Sequence, residues 1–125
     1  MTDKQFDQKK KELREEMNAK GFGWIDGNYI KPPQEYKMRQ EELSCVGMIN
    51  SILAYDWFGQ NADEIMQMEE RSYHNYLAEY VALFGRDKVV SLIEEQINSI
   101  QNIKRNVHTD GEGVTYNSII WRDDE

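Results

Sequence analysis

Apolar residues recur along this chain at helical steps in several stretches, separated by short β-like segments. From residue 3 to 19, Phe6, Leu13 and Met17 form one stripe among Lys and Glu, the pattern of a charged helix with a thin apolar face. Gly21 ends it. The run Phe22–Ile30 then sets an Asp26-Gly27 pair between aromatic and β-branched residues. Both central residues of a type I′ turn need positive φ, so the spacing predicts a β-hairpin over 21–31. Pro32-Pro33 pre-sets the first turn of a helix over about 34–56. Its second half, Leu43 to Leu53, is apolar around most of its circumference and predicts the central core helix.

Gly59 marks the exit. Asn61 and Glu64 have the spacing of an N-cap residue and its reciprocal Glu, which starts a third helix. Ile65, Met68, Tyr73, Tyr76, Leu77, Tyr80, Val81 and Phe84 carry its expected buried face, and Gly85 ends it. A fourth helix is expected over about 87–105, with Val89, Val90, Ile93, Ile97, Ile100 and Ile103 in register. Asp110-Gly111 then turns the chain into the β-rich segment 114–121, and the acidic tail Asp123–Glu125 frays.

The expected fold is α+β and mostly helical: about four helices, with two short β-hairpins forming a small antiparallel sheet. Pairing the hairpins would satisfy their open edges. Residues 1–125 are expected to form a single domain, with a charged surface helix (1–20), a hairpin (21–31), a helical core (34–105) and a C-terminal hairpin (106–121).

Composition narrows the function classes. A chain of 125 residues can bury a real core without staples. A hydrophobic share of 39% and a mean hydropathy of −0.82 are low for an enzyme built around a deep pocket and ample for a small helical fold. One cysteine, Cys45, rules out an internal disulfide and any multi-cysteine zinc site. No apolar run reaches membrane-spanning length, and the charged start lacks the apolar core of a secretory signal. The expected compartment is the cytoplasm, with no membrane partner.

Charge is unevenly spread. Residues 1–40 hold nine Lys or Arg against seven Asp or Glu, whereas residues 41–125 hold six against sixteen. Between Glu41 and Glu70 lie seven carboxylates and no Lys or Arg. With a net charge of −8, direct nucleic-acid binding is not expected, because that binding draws much of its affinity from neutralising phosphates.

Candidate catalytic and metal chemistry is thin. A nucleophilic Cys45 with His74 or His108 as base would need a polar, thiolate-favouring setting, and Cys45 sits among Val46, Met48 and Ile49. Glu70 and His74 have an i, i+4 spacing but no second ligand pair on another helix. The loop His108–Val114 lacks the ligand pattern of an EF-hand and the glycine-lysine pattern of a phosphate cradle. No catalytic residue, metal or cofactor is assigned, and the chain reads as a non-enzyme.

The leading expectation is a small acidic protein-binding module. Glu41, Glu42, Asp63, Glu64, Glu69 and Glu70, with Tyr73 and Tyr76, would contact a protein with a basic surface. In its most concrete form the module inhibits or regulates a nucleic-acid-binding protein, as small accessory proteins of phages and mobile elements do; that is an analogy of charge and size. The alternative is a protein that binds or sequesters a small ligand such as a nucleotide. Arg86, Arg105 and Arg122 would meet a phosphate, with Tyr116 or Trp121 stacking on a base. An exposed apolar stripe on the first helix would favour a homodimer.

Overall fold

Thr2 sets where the chain turns helical. In this computed structural model, which describes residues 1–55, 61–107 and 115–122 and the side chains of all of these except 105–107, 115 and 116, the Gln5 backbone N–H donates to Thr2 Oγ1 at 3.0 Å. The Thr2 N–H donates back to Gln5 Oε1 at 2.9 Å, completing a capping box for α1 (Asp3–Ala19). Asp26 and Gly27 take φ of 50° and 80°, the left-handed pair of a type I′ turn, and join β1 (Gly23–Ile25) to β2 (Asn28–Ile30). Pro33 then accepts from the Tyr36 and Lys37 N–H groups as α2 (Gln34–Ala54) begins. Each of these starts and turns follows the sequence reading.

The chain divides into two compact units, Thr2–Ser44 and Cys45–Glu125 together with Met1, with the division inside α2. The core of the first unit is small: Leu13, Met17 and Tyr36 are buried, and Phe22 and Leu43 pack against them. Of the α1 stripe, Leu13 and Met17 are buried within their own unit and Phe6 is half-buried. Lys20 and Arg39 stand over the Tyr36 ring at 5.3 and 5.6 Å, a pair of cation–π contacts. The Tyr36 phenol is the main cause holding the Lys20 ammonium above its ordinary pKa of 10.5.

The second unit has the larger core. Cys45, Val46, Ile49 and Leu53 of α2 are buried, as are Ile65 and Met66 of α3 (Ala62–Arg71) and Tyr80 of α4 (Ala78–Phe84). Val89, Leu92 and Ile93 of α5 (Arg86–Asn98) complete it, and α5 packs on both α3 and α4. Two polar contacts tie distant segments to this core. Asn117 Nδ2 donates to the Leu53 carbonyl at 2.9 Å, and the Met1 amino group donates to the buried Gln96 Oε1 at 2.6 Å.

Three expectations are corrected. The third helix is two helices, because the segment 72–77 leaves the helix. Ser72, Tyr73, His74 and Asn75 are all weak helix formers, and two of them satisfy the backbone locally. The His74 N–H donates to Ser72 Oγ at 3.1 Å, and the Leu77 N–H donates to Asn75 Oδ1 at 3.2 Å.

The fourth helix stops at Asn98. Residues 100–107 form β3 (Ile100–Val107), paired antiparallel with β4 (Thr115–Trp121). Ile100 and Ile103 keep the helical spacing, but β-branched side chains also suit a strand, and as a strand the segment pairs with β4 along its length.

The hairpins also do not merge. Strands β1–β2 and β3–β4 make two separate two-stranded sheets, so the chain is α+β and mostly helical with five helices among its described residues. The expected helix exit at Gly59 and the expected turn at Asp110-Gly111 lie outside the described residues.

Candidate functional site

The sequence-predicted partner surface falls on both units, with Glu41 and Glu42 in the first and the other six residues in the second. Glu41 and Glu42 are half-buried on α2. The remainder builds one local site on the second unit, starting from α3.

Asn61 caps α3 by accepting the Glu64 N–H at 3.0 Å on its Oδ1, and its Nδ2 donates to Glu64 Oε1 at 3.4 Å. The inward face of α3 is Ala62, Ile65, Met66 and Glu69, which leaves Asp63 and Glu70 exposed on one flank of the helix. They are not bare. Arg86, the first residue of α5, places Nη2 3.7 Å from Asp63 Oδ1 and donates through Nε to Glu70 Oε1 at 3.4 Å. One cation thus bridges the carboxylates at the two ends of α3.

Glu69 is not a surface acid. Its residue is 8% exposed, and its Oε2 accepts the Tyr76 N–H at 2.8 Å. The sequence places it on the contact face as one of the carboxylates between Glu41 and Glu70; helical geometry turns adjacent residues about 100° apart, and Glu69 falls on the core side.

The tyrosines go the other way. Tyr73 and Tyr76, placed by the sequence both on the expected buried face and among the partner contacts, are 95% and 54% exposed, and of the three tyrosines in that stripe only Tyr80 is buried. The ring of His74 lies between theirs, edge-on to Tyr73 at 4.9 Å and stacked with Tyr76 at 6.0 Å. Met68 is also exposed on α3. The outcome is an outward aromatic cluster on a short segment between two helices, pinned from inside by a buried carboxylate.

This geometry also bears on the metal spacing noted in the sequence. Glu70 and His74 are four apart, but the helix ends at Arg71, so they do not share its face. Among the described residues no three His, Cys, Asp or Glu side chains gather as metal ligands. Cys45 is fully buried in an apolar setting.

The alternative ligand residues do not converge. Arg86 is engaged at the start of α5. Arg122 Nε donates to the Asn98 carbonyl at the other end, a basic cap on the helix C-terminus. Thirteen residues of helix hold the two apart by about 18 Å, too far for one phosphate. Trp121 is half-buried on β4, and the side chains of Arg105 and Tyr116 lie outside the described residues.

Sequence reasoning missed a groove in the first unit. A cavity of about 490 Å³ runs along Phe6, Lys10, Leu13, Arg14 and Met17 of α1. Trp24 and Tyr29, cross-strand partners with rings 5.3 Å apart, form its hairpin side, and Gln40, Leu43 and Ser44 of α2 contribute as well. Its lining includes two cations and no carboxylate. The available signal was the i, i+4, i+7, i+8, i+11 series on α1, with Lys10 and Arg14 inside the apolar stripe.

The chain matches no protein-family model, no curated protein and no solved structure.

Proposed function

We propose that this chain is a non-enzymatic binding module whose second unit engages a basic surface of another protein. The observation that carries the reading is the outward Tyr73–His74–Tyr76 cluster beside the Asp63–Glu70 edge of α3. Tyrosines supply large contact area with few rotatable bonds, and they are enriched at protein interfaces. Solvated aromatic rings on an internal segment contribute nothing to the core, and burial against a partner would recover that surface. Charge supports the same direction, since residues 45–125 hold fourteen carboxylates against six Lys or Arg.

The expected partner is a protein with exposed Arg and Lys, and the module acts as an inhibitor or regulator when that surface is one that otherwise holds nucleic acid. The test is affinity capture from the native host with the wild-type chain and with a Y73A/Y76A double variant, followed by Kd measurements on the captured protein at several salt concentrations. The double variant should lose the partner while keeping its far-UV circular dichroism. Added nucleic acid should compete with the wild-type chain. A folded double variant that still captures the same protein at full affinity removes the proposal.

A further inference from the structure

We propose that the groove of the first unit binds a small ligand with a planar apolar body and an anionic group, of the aromatic carboxylate or nucleoside monophosphate kind. The cavity of about 490 Å³ lies within the range usual for small-molecule sites. Its floor is apolar, formed by the buried Leu13 and Met17. The Trp24–Tyr29 pair gives it two large rings, 71% and 55% exposed, against which a planar group can lie.

The charge of the groove sets the sign of the ligand. Lys10 and Arg14 lie one helical turn apart, with Cβ atoms about 6 Å from each other, close enough for a single carboxylate or phosphate to meet both. Among the described residues neither makes an ion pair: the cations nearby that do are Lys11 with Glu15 and Arg39 with Glu16. Lys10 lies over the Phe6 ring at 5.4 Å, which keeps its ammonium at the groove. Residues 2–44 balance nine cations against nine carboxylates, so a cation-lined cavity here is a local arrangement and not a consequence of a basic unit. Two adjacent like charges on one helix face cost stability, and an anion between them relieves that cost.

The test is an NMR titration of the full ¹⁵N-labelled chain with 1-naphthylacetate, its uncharged analogue 1-naphthylacetamide, adenosine 5′-monophosphate and adenosine. At least one anion should bind saturably, about ten-fold or more tighter than its neutral counterpart, as expected for a charge-assisted contact at a partly open site. The shifts should centre on the Trp24 indole N–H and on the Lys10, Arg14 and Tyr29 amides. Naphthylacetate binding tighter than the nucleotide assigns the carboxylate class, and the reverse order assigns the nucleotide class. K10Q/R14Q, which changes only exposed side chains, should abolish the preference for the anion, and W24A should weaken every probe. Neutral and anionic probes binding equally, shifts mapping away from the groove, or no saturable binding by either anion overturns the proposal.

Discussion

Glu69 Oε2 accepts the backbone N–H of Tyr76 at 2.8 Å, so a carboxylate buried on the core side of α3 holds the segment that turns Tyr73 and Tyr76 outward. The Glu69→Ala variant leaves that N–H without its acceptor and should cost about 1–3 kcal/mol. Glu69→Gln keeps an acceptor oxygen and loses only the charge assistance, so its cost should be smaller. Urea unfolding gives both values, and amide exchange at Tyr76 locates the effect. Unchanged exchange at Tyr76 in the alanine variant would show that the contact does not hold the segment.

Arg86 tests the electrostatic half of the proposed function in the direction opposite to the usual loss. Its side chain is 44% exposed and bridges Asp63 and Glu70. Solvated ion pairs of this kind contribute less than about 1 kcal/mol, so Arg86→Ala should barely move the melting temperature. It removes a positive charge from the edge, however. A basic partner should then bind tighter and with a steeper salt dependence. Weaker binding would mean that Arg86 itself contacts the partner.

Much of the fold was legible where a local device sets the structure. The capping residues Thr2 and Asn61, the Asp26-Gly27 turn and the positive φ at Gly85 act over a few residues. Helical periodicity misleads at two segments, one whose fate depends on a distant strand and one where local hydrogen bonds break the helix. Ile100 and Ile103 fit a helix until β4 is available to pair with them. Tyr73 and Tyr76 fit the α3 stripe, but Ser72 and Asn75 satisfy the backbone locally and Glu69 captures it. Of the candidate site, the aromatic content of 73–76 was readable and its direction was not. The groove was unreadable for a plainer reason. It needs α1, the first hairpin and α2 brought together, and no single segment encodes that.

Gly27 isolates the conformational cost of one turn. Its φ is 80°, and an added Cβ would meet no atom within 4 Å. Gly27→Ala therefore carries no clash, only the left-handed penalty of about 1–2 kcal/mol for an L-residue. The loss should appear as fraying of β1–β2, read from the chemical shifts of Trp24 and Tyr29, while the second unit keeps its shifts. By the same reasoning Asp26→Asn, at φ 50°, should be neutral or mildly stabilising, since Asn tolerates this region well.

Helix α5 contributes three buried apolar side chains, Val89, Leu92 and Ile93, to the core of the second unit. Val89 and Ile93 show no exposure, and α5 packs on both α3 and α4. Ile93→Ala should cost about 2–5 kcal/mol, with the spread set by how far the neighbouring helices can close the cavity. Ile120 on β4 is among the exposed large apolar residues, and Ile120→Thr should stay within about 0.5 kcal/mol. Comparable losses at the two positions would mean that the hairpin anchors the unit as much as the helical layer does.

Cys45 reports on the same core and on the non-enzyme reading at once. It has no exposure and sits beside the buried Val46 and Ile49, so its thiol reaches solvent only when the unit opens. Labelling of the native chain by a thiol reagent should run about a thousand-fold or more slower than labelling of an unfolded control, given the stability usual for a domain of this size. When opening and closing are fast compared with labelling, the rate follows the open population. Ile93→Ala should then speed the reaction by about thirty-fold or more, the factor equivalent to the lower end of its expected cost. A catalytic thiol would behave in the opposite way, reacting rapidly in the folded protein and responding little to Ile93. Rapid labelling of the wild-type chain at neutral pH would reopen the nucleophile reading.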